Sequence, residues 1–214
     1  MTDEIEWLVP PAAVPLIGNN SFVGMPGEAR VQDFWQFALG DLRMNNARGY
    51  LAEFLVGKAL GIEPLIRIEW DSFDLLFGDI TIEVKSSAYL QAWDQRRIST
   101  LSFSGLKGTR YNPRAPLGGE DPLGKRYNAM VYVFCVQTAT THEAYNPLDV
   151  SQWEFHVVRR RALAATGLQS LGIGRVRKLS EGTTVWADLA AKVTMAAVGE
   201  ARDDDDPDWW KRSL

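Results

Sequence analysis

The stretch Phe73–Ser87, FDLLFGDITIEVKSS, decides how this chain is read. Two strand-like runs flank Gly78-Asp79, a dipeptide suited to a two-residue hairpin turn. With that turn, Phe77 stands opposite Ile80. Pairing then continues as Leu76–Thr81, Leu75–Ile82, Asp74–Glu83, Phe73–Val84 and Ser72–Lys85. Side chains alternate between the two faces of a strand. One face therefore collects Phe73, Leu75, Phe77, Ile80, Ile82 and Val84, all apolar and fit for a core. The other face brings Ser72, Asp74, Glu83 and Lys85 together.

Like charges directly opposite each other destabilise a ladder. Asp74 against Glu83 therefore calls for a chemical reason, and a divalent cation supplies one. Two carboxylates, several waters and a substrate phosphate suit Mg²⁺, with Mn²⁺ the natural substitute. A lysine beside such a site can orient or deprotonate an attacking water, because burial and neighbouring charge tune its pKa.

Asp74 followed by Glu83-Val84-Lys85 on the next strand resembles the PD-(D/E)xK nuclease superfamily, the restriction-endonuclease-like fold. The resemblance spans roughly residues 44–138, and Phe73 stands where the name-giving proline would be. It implies that Asp74, Glu83 and the Val84 carbonyl hold the metal and that Lys85 positions the nucleophile. It also implies a cleaved phosphodiester with a 5′-phosphate. The superfamily often carries a glutamate on the preceding helix. Glu53 fits that place, in ARGYLAEFLVGKALG, where Asn46, Gly49, Glu53 and Gly57 form a narrow polar or small stripe. DNA is the implied substrate, with RNA the other candidate. Cutting both strands would take two sites, hence a homodimer.

Outward from the hairpin, a helical pattern precedes it in two pieces, about 29–39 and 44–60, with Gly61 as the stop. PLIRIEW (64–70) reads as a strand, as do 98–104, AMVYVFCVQT (129–138) and WEFHVV (153–158). Residues 105–126, crowded with glycine and proline, read as a long loop. Residues 184–200 suit an amphipathic helix with Trp186, Leu189, Ala190, Val193 and Ala197 on one face. The expected architecture is one α/β domain, residues 29–201, on a central mixed sheet flanked by helices. A Pro/Gly-rich arm, 1–28, precedes it and an acidic tail, 202–214, follows.

The chain has 214 residues, of which 46% are hydrophobic and 23% charged. Such a composition excludes wholesale disorder and a collagen-like chain. No apolar run reaches the roughly 18–20 residues of a membrane-spanning helix. The N-terminus opens acidic and is interrupted by Pro10, Pro11 and Pro15, unlike a signal peptide. The single cysteine, Cys135, lies in an apolar run and excludes an intrachain disulfide. A cytoplasmic protein is expected.

The net charge of −4 hides an uneven distribution. Residues 1–83 carry 5 basic and 13 acidic side chains, residues 84–180 carry 14 and 6, and residues 181–214 carry 4 and 8. A basic middle between acidic ends can make a one-sided field. Gln95, Arg96, Arg97, Lys107, Arg110, Arg114, Lys125 and Arg126 follow the active strand, interleaved with Trp93, Phe103, Tyr111 and Tyr127. Basic groups mixed with aromatics suit a phosphate backbone and exposed bases. Gln91 or Gln95 could also reach the site, and Arg159, Arg160 and Arg161 could extend the surface. Several other patterns lead nowhere. Gly119–Lys125 resembles a P-loop, but Arg126 replaces the Ser/Thr that binds Mg²⁺. His142 and His156 lack the companions of a zinc site. A non-catalytic nucleic-acid-binding or partner-binding protein is the competing reading, and the intact Asp/Glu/Lys set counts against it.

Overall fold

The structure is a computed structural model that describes Leu8, Pro11 and residues 14–25, 27–63, 66–67, 72–110 and 124–201. The predicted strand at 64–70, Arg114, Tyr111 and the acidic tail fall wholly or largely outside the described residues. In chain order the elements are α1 (Val31–Leu39), α2 (Asn45–Ala59), β1 (Leu75–Phe77), β2 (Ile80–Ala88) and β3 (Ser102–Phe103). They continue as β4 (Val131–Gln137), β5 (Trp153–Arg159), α3 (Arg160–Ala164), β6 (Leu171–Gly172), α4 (Ile173–Leu179) and α5 (Leu189–Ala197).

The chain divides into two compact units, one ending at Gly40 and the other beginning at Asp41. In the first, the described part of the Pro/Gly-rich segment is joined to the start of α1. Val31 N–H donates to Asn20 O at 2.9 Å and Phe22 N–H to Ala29 O at 3.0 Å. The division between the two units thus falls after α1.

The second unit is α/β. Its main sheet runs β1-β2-β4-β5 and is mixed: β2 and β4 are parallel, the other pairs antiparallel. The apolar run of β4 suits this central place, and each of its residues is buried. Alternation then assigns its side chains to two cores. Val131, Val133 and Cys135 join Ala52, Leu55 and Val56 of α2 and Leu189 and Val193 of α5. Tyr132, Phe134 and Val136 join Phe103 of β3, Leu171 of β6, Leu163 of α3 and Val176 of α4. Burying each such side chain contributes about 1.5–3 kcal/mol. Helices thus flank both faces of the sheet. The strand read at 98–104 shortens to β3, while its partner β6 and the short helices α3 and α4 carry too little periodic sequence to be anticipated. Among the described residues, no helix is long and apolar enough to cross a membrane.

The Gly78-Asp79 hairpin forms in the expected register: Leu75 pairs with Ile82, Leu76 with Thr81 and Phe77 with Ile80. Gly78 takes φ +58°, a conformation that glycine adopts without steric cost. The ladder does not continue past Leu75. Asp74 N–H donates to Ile82 O at 2.9 Å, one residue out of register. The expected pairs Asp74–Glu83, Phe73–Val84 and Ser72–Lys85 are therefore absent. Phe73 turns to the opposite core from the one alternation assigned it, joining Phe103, Tyr132 and Phe134.

Candidate active site

The break in the ladder builds the site. In a regular hairpin, Val84 N–H would donate to the backbone of Phe73. Here it donates to Asp74 Oδ2 at 2.7 Å, so a carboxylate caps the strand where a carbonyl would pair. A strand residue directs its N–H and C=O towards the same neighbour. The Val84 carbonyl therefore points to the Asp74 side, past the end of β1. Glu83 and Lys85 lie on either side of Val84 along β2, and the Lys85 ammonium donates to Glu83 Oε1. Glu53 comes from α2, which packs against β2. Its Oε2 accepts from Arg67 Nε at 2.8 Å.

These groups share one electrostatic environment. Burial, then the Asp74 charge, push Glu53 up to about 7, against the pull of Arg67 and Lys85. Glu83 is likewise pushed up to about 7 by burial and then by Asp74, with Lys85 opposing. Burial raises Asp74 too, and the Val84 N–H, Lys85 and Arg67 only partly offset it. Burial works against the charge of Lys85, but Glu83, Asp74 and Glu53 overcome it and hold its pKa above the usual lysine range. Lys85 is thus a charged donor.

The cluster carries more buried negative charge than its cations neutralise. Asp74 Oδ1 and Glu83 Oε2 accept no hydrogen bond among the described residues. Carboxylate oxygens of this kind are hard donors that Mg²⁺ accepts one or two at a time, completing its octahedron with waters and phosphate. Among the described residues, no group of three or more His, Cys, Asp or Glu side chains stands ready as an all-protein metal cage.

The other residues singled out in the sequence divide into two sets. Gln95 holds its own loop: it accepts from Gln91 N–H at 2.7 Å and donates to Tyr89 O at 3.2 Å and Ser99 Oγ at 3.0 Å. Lys107 donates to Gly167 O at 3.0 Å and lies 5.1 Å from the centre of the Tyr127 ring. Arg126 forms a backbone bridge with Gly108, two residues before Arg110, and the stretch 111–123 expected as a loop lies outside the described residues. Arg160 and Arg161 are tied to Glu200. Arg96, Arg97 and Lys125 are exposed. Two residues escaped the sequence reading. Arg67 neutralises Glu53 and stacks 4.7 Å from the centre of the Tyr50 ring. Arg48, buried on α2, was hidden by attention to the acid five residues later, although an arginine on so apolar a helix asks the same question.

Comparison of the chain with protein-family models, with curated proteins and with solved structures gives no match.

Proposed function

We propose that the protein is a Mg²⁺-dependent nuclease with a restriction-endonuclease-like core that hydrolyses phosphodiester bonds of DNA. The observation that carries this reading is the convergence of Glu53 of α2, Asp74 just ahead of β1, and Glu83 and Lys85 of β2 into one largely buried cluster whose charges act on one another. Asp74, Glu83 and the Val84 carbonyl would hold the ion, which when bound supplies a Lewis acid for the scissile phosphate and a water of lowered pKa.

The remaining work falls to the chain. Lys85, kept charged by its acidic neighbours, donates a hydrogen bond to the attacking water and fixes its approach. Arg67 holds Glu53 at the edge of the cluster, where its carboxylate can accept a hydrogen bond from a water. The Val84 N–H fixes the rotamer of Asp74. Exposed Arg96, Arg97 and Lys125 offer counter-charges to a phosphate backbone. Two copies of the chain would be needed to cut both strands at once.

The test is incubation of the protein with linear duplex, circular duplex and single-stranded DNA and with RNA, in Mg²⁺, in Mn²⁺ and in chelator. Metal-dependent cleavage of DNA leaving 5′-phosphates is expected. Binding of DNA without cleavage in either metal would instead support a non-catalytic nucleic-acid-binding protein.

A further inference from the structure

Arg48 is 5% exposed, and burial works against its charge, yet no carboxylate pairs with it among the described residues. Its guanidinium donates to Arg43 O at 3.0 Å and to Asn45 Oδ1 at 2.6 Å. Its two contacts to Gln91 Oε1 are both 3.5 Å, the outer limit of a hydrogen bond. Its Nε is fully buried and has no partner among the described residues. A guanidinium has five N–H donors in a fixed fork. Leaving a buried cation so poorly matched is costly unless an anion completes it.

Arg48 lines a cavity of about 320 Å³, within the size range of small-ligand sites. The other walls are polar: Ser86 and Ser87 of β2, Gln91, and Thr100. Trp93, also in the lining, is 56% exposed, so its ring is open to a ligand. Among the described residues, no acidic side chain lines the cavity. Arginine beside several hydroxyls is the chemistry that recognises phosphate.

The cavity also has a defined relation to the acidic cluster. Ser87 lies two residues, roughly 7 Å, beyond Lys85 on the same face of β2. Arg48 lies five residues, roughly 7.5 Å, from Glu53 along α2. Both elements therefore lead from the carboxylates to the cavity, and a strand held at the first can extend into the second.

We propose that this cavity is a phosphate subsite, in which Arg48, Ser86, Ser87 and Thr100 hold a phosphate of a nucleic-acid strand and Trp93 stacks on the adjoining base. That the phosphate belongs to a nucleic acid rests on the nuclease reading; the affinity for phosphate itself does not.

The experiment is calorimetric titration of the full chain, in chelator, with orthophosphate and with three thymidine trinucleotides: 5′-phosphorylated, 3′-phosphorylated and unphosphorylated. Thr100→Glu, at an exposed position, sets a carboxylate against Arg48 and should weaken every ligand at least tenfold without lowering the melting temperature. Arg48→Lys keeps the charge but loses the fork and should also weaken binding. Trp93→Ala should weaken the trinucleotides about tenfold and leave orthophosphate unchanged. Preference for one phosphorylated trinucleotide identifies a terminal phosphate as the occupant; equal affinity for all three identifies an internal diester. Affinities unmoved by both Thr100→Glu and Arg48→Lys would overturn the subsite. Phosphate binding that Thr100→Glu removes, in a protein that cleaves nothing, would keep the subsite and remove the nuclease reading. Cleavage without such binding would do the reverse.

Discussion

Lys85 donates to one carboxylate of the cluster and feels all three, so its charge is secure across the neutral range. Lys85→Ala should therefore abolish cleavage while leaving Mg²⁺ binding largely intact, because the ammonium is not a Mg²⁺ ligand. Single-turnover cleavage and calorimetric Mg²⁺ titration of the variant check this; cleavage at the wild-type rate would remove Lys85 from the mechanism. Glu83 and Lys85 were legible in the sequence because a Glu-x-Lys on an apolar strand shares one face by alternation alone. The position of Asp74 was legible, but not its bond. That bond depends on the ladder ending at Leu75, and no local pattern in Ser72–Leu75 announces that the backbone slips there.

At the scale of elements, α2 and β2 do most of the positioning. The hairpin register from Leu75 to Ile82 followed from turn chemistry and alternation, both local properties of the chain; the sheet order did not. Nor did β6 and the helices α3 and α4, because contacts distant in sequence stabilise elements so short. The same distance hid Arg67, which lies in a strand-like run yet serves a helix residue 14 positions earlier. The Arg67–Glu53 pair is only partly shielded, with the arginine side chain 40% exposed, so its worth is modest. Arg67→Ala should lower stability by roughly 1 kcal/mol at pH 8. A double-mutant cycle with Glu53→Gln, read by urea unfolding, should show most of that loss vanishing once Glu53 is neutral. Full additivity of the two changes would mean that the pair is not coupled.

At the scale of the whole molecule, the basic middle of the chain predicts a salt-dependent affinity for DNA. The exposed Arg96, Arg97 and Lys125 are the residues free of the structural duties that occupy Gln95 and Lys107. Arg96→Ala with Arg97→Ala should flatten the slope of log K against log salt by up to about 2 units. An unchanged slope would put the DNA on another surface. The acidic cluster sets a second global property. Glu53 and Glu83 have folded-state pKa values near 7, raised from about 4.5, so between those values the folded chain binds more protons than the unfolded one. Their contribution to stability therefore falls as pH rises through that window. In chelator, wild type should lose more melting temperature between pH 5 and pH 8 than Glu53→Gln/Glu83→Gln does. An equal loss would show that these carboxylates titrate normally. The most direct measurement is the melting of wild type and Asp74→Asn at pH 8, in chelator and in millimolar Mg²⁺. Asparagine can still accept from Val84 N–H, but it removes one charge from the cluster. Asp74→Asn should melt higher than wild type in chelator, because Asp74 burdens Glu53 and Glu83 with a buried like charge, and gain far less from Mg²⁺. A variant that melts lower than wild type in chelator, with Mg²⁺ shifting both proteins equally, would contradict the cation site and the nuclease built on it.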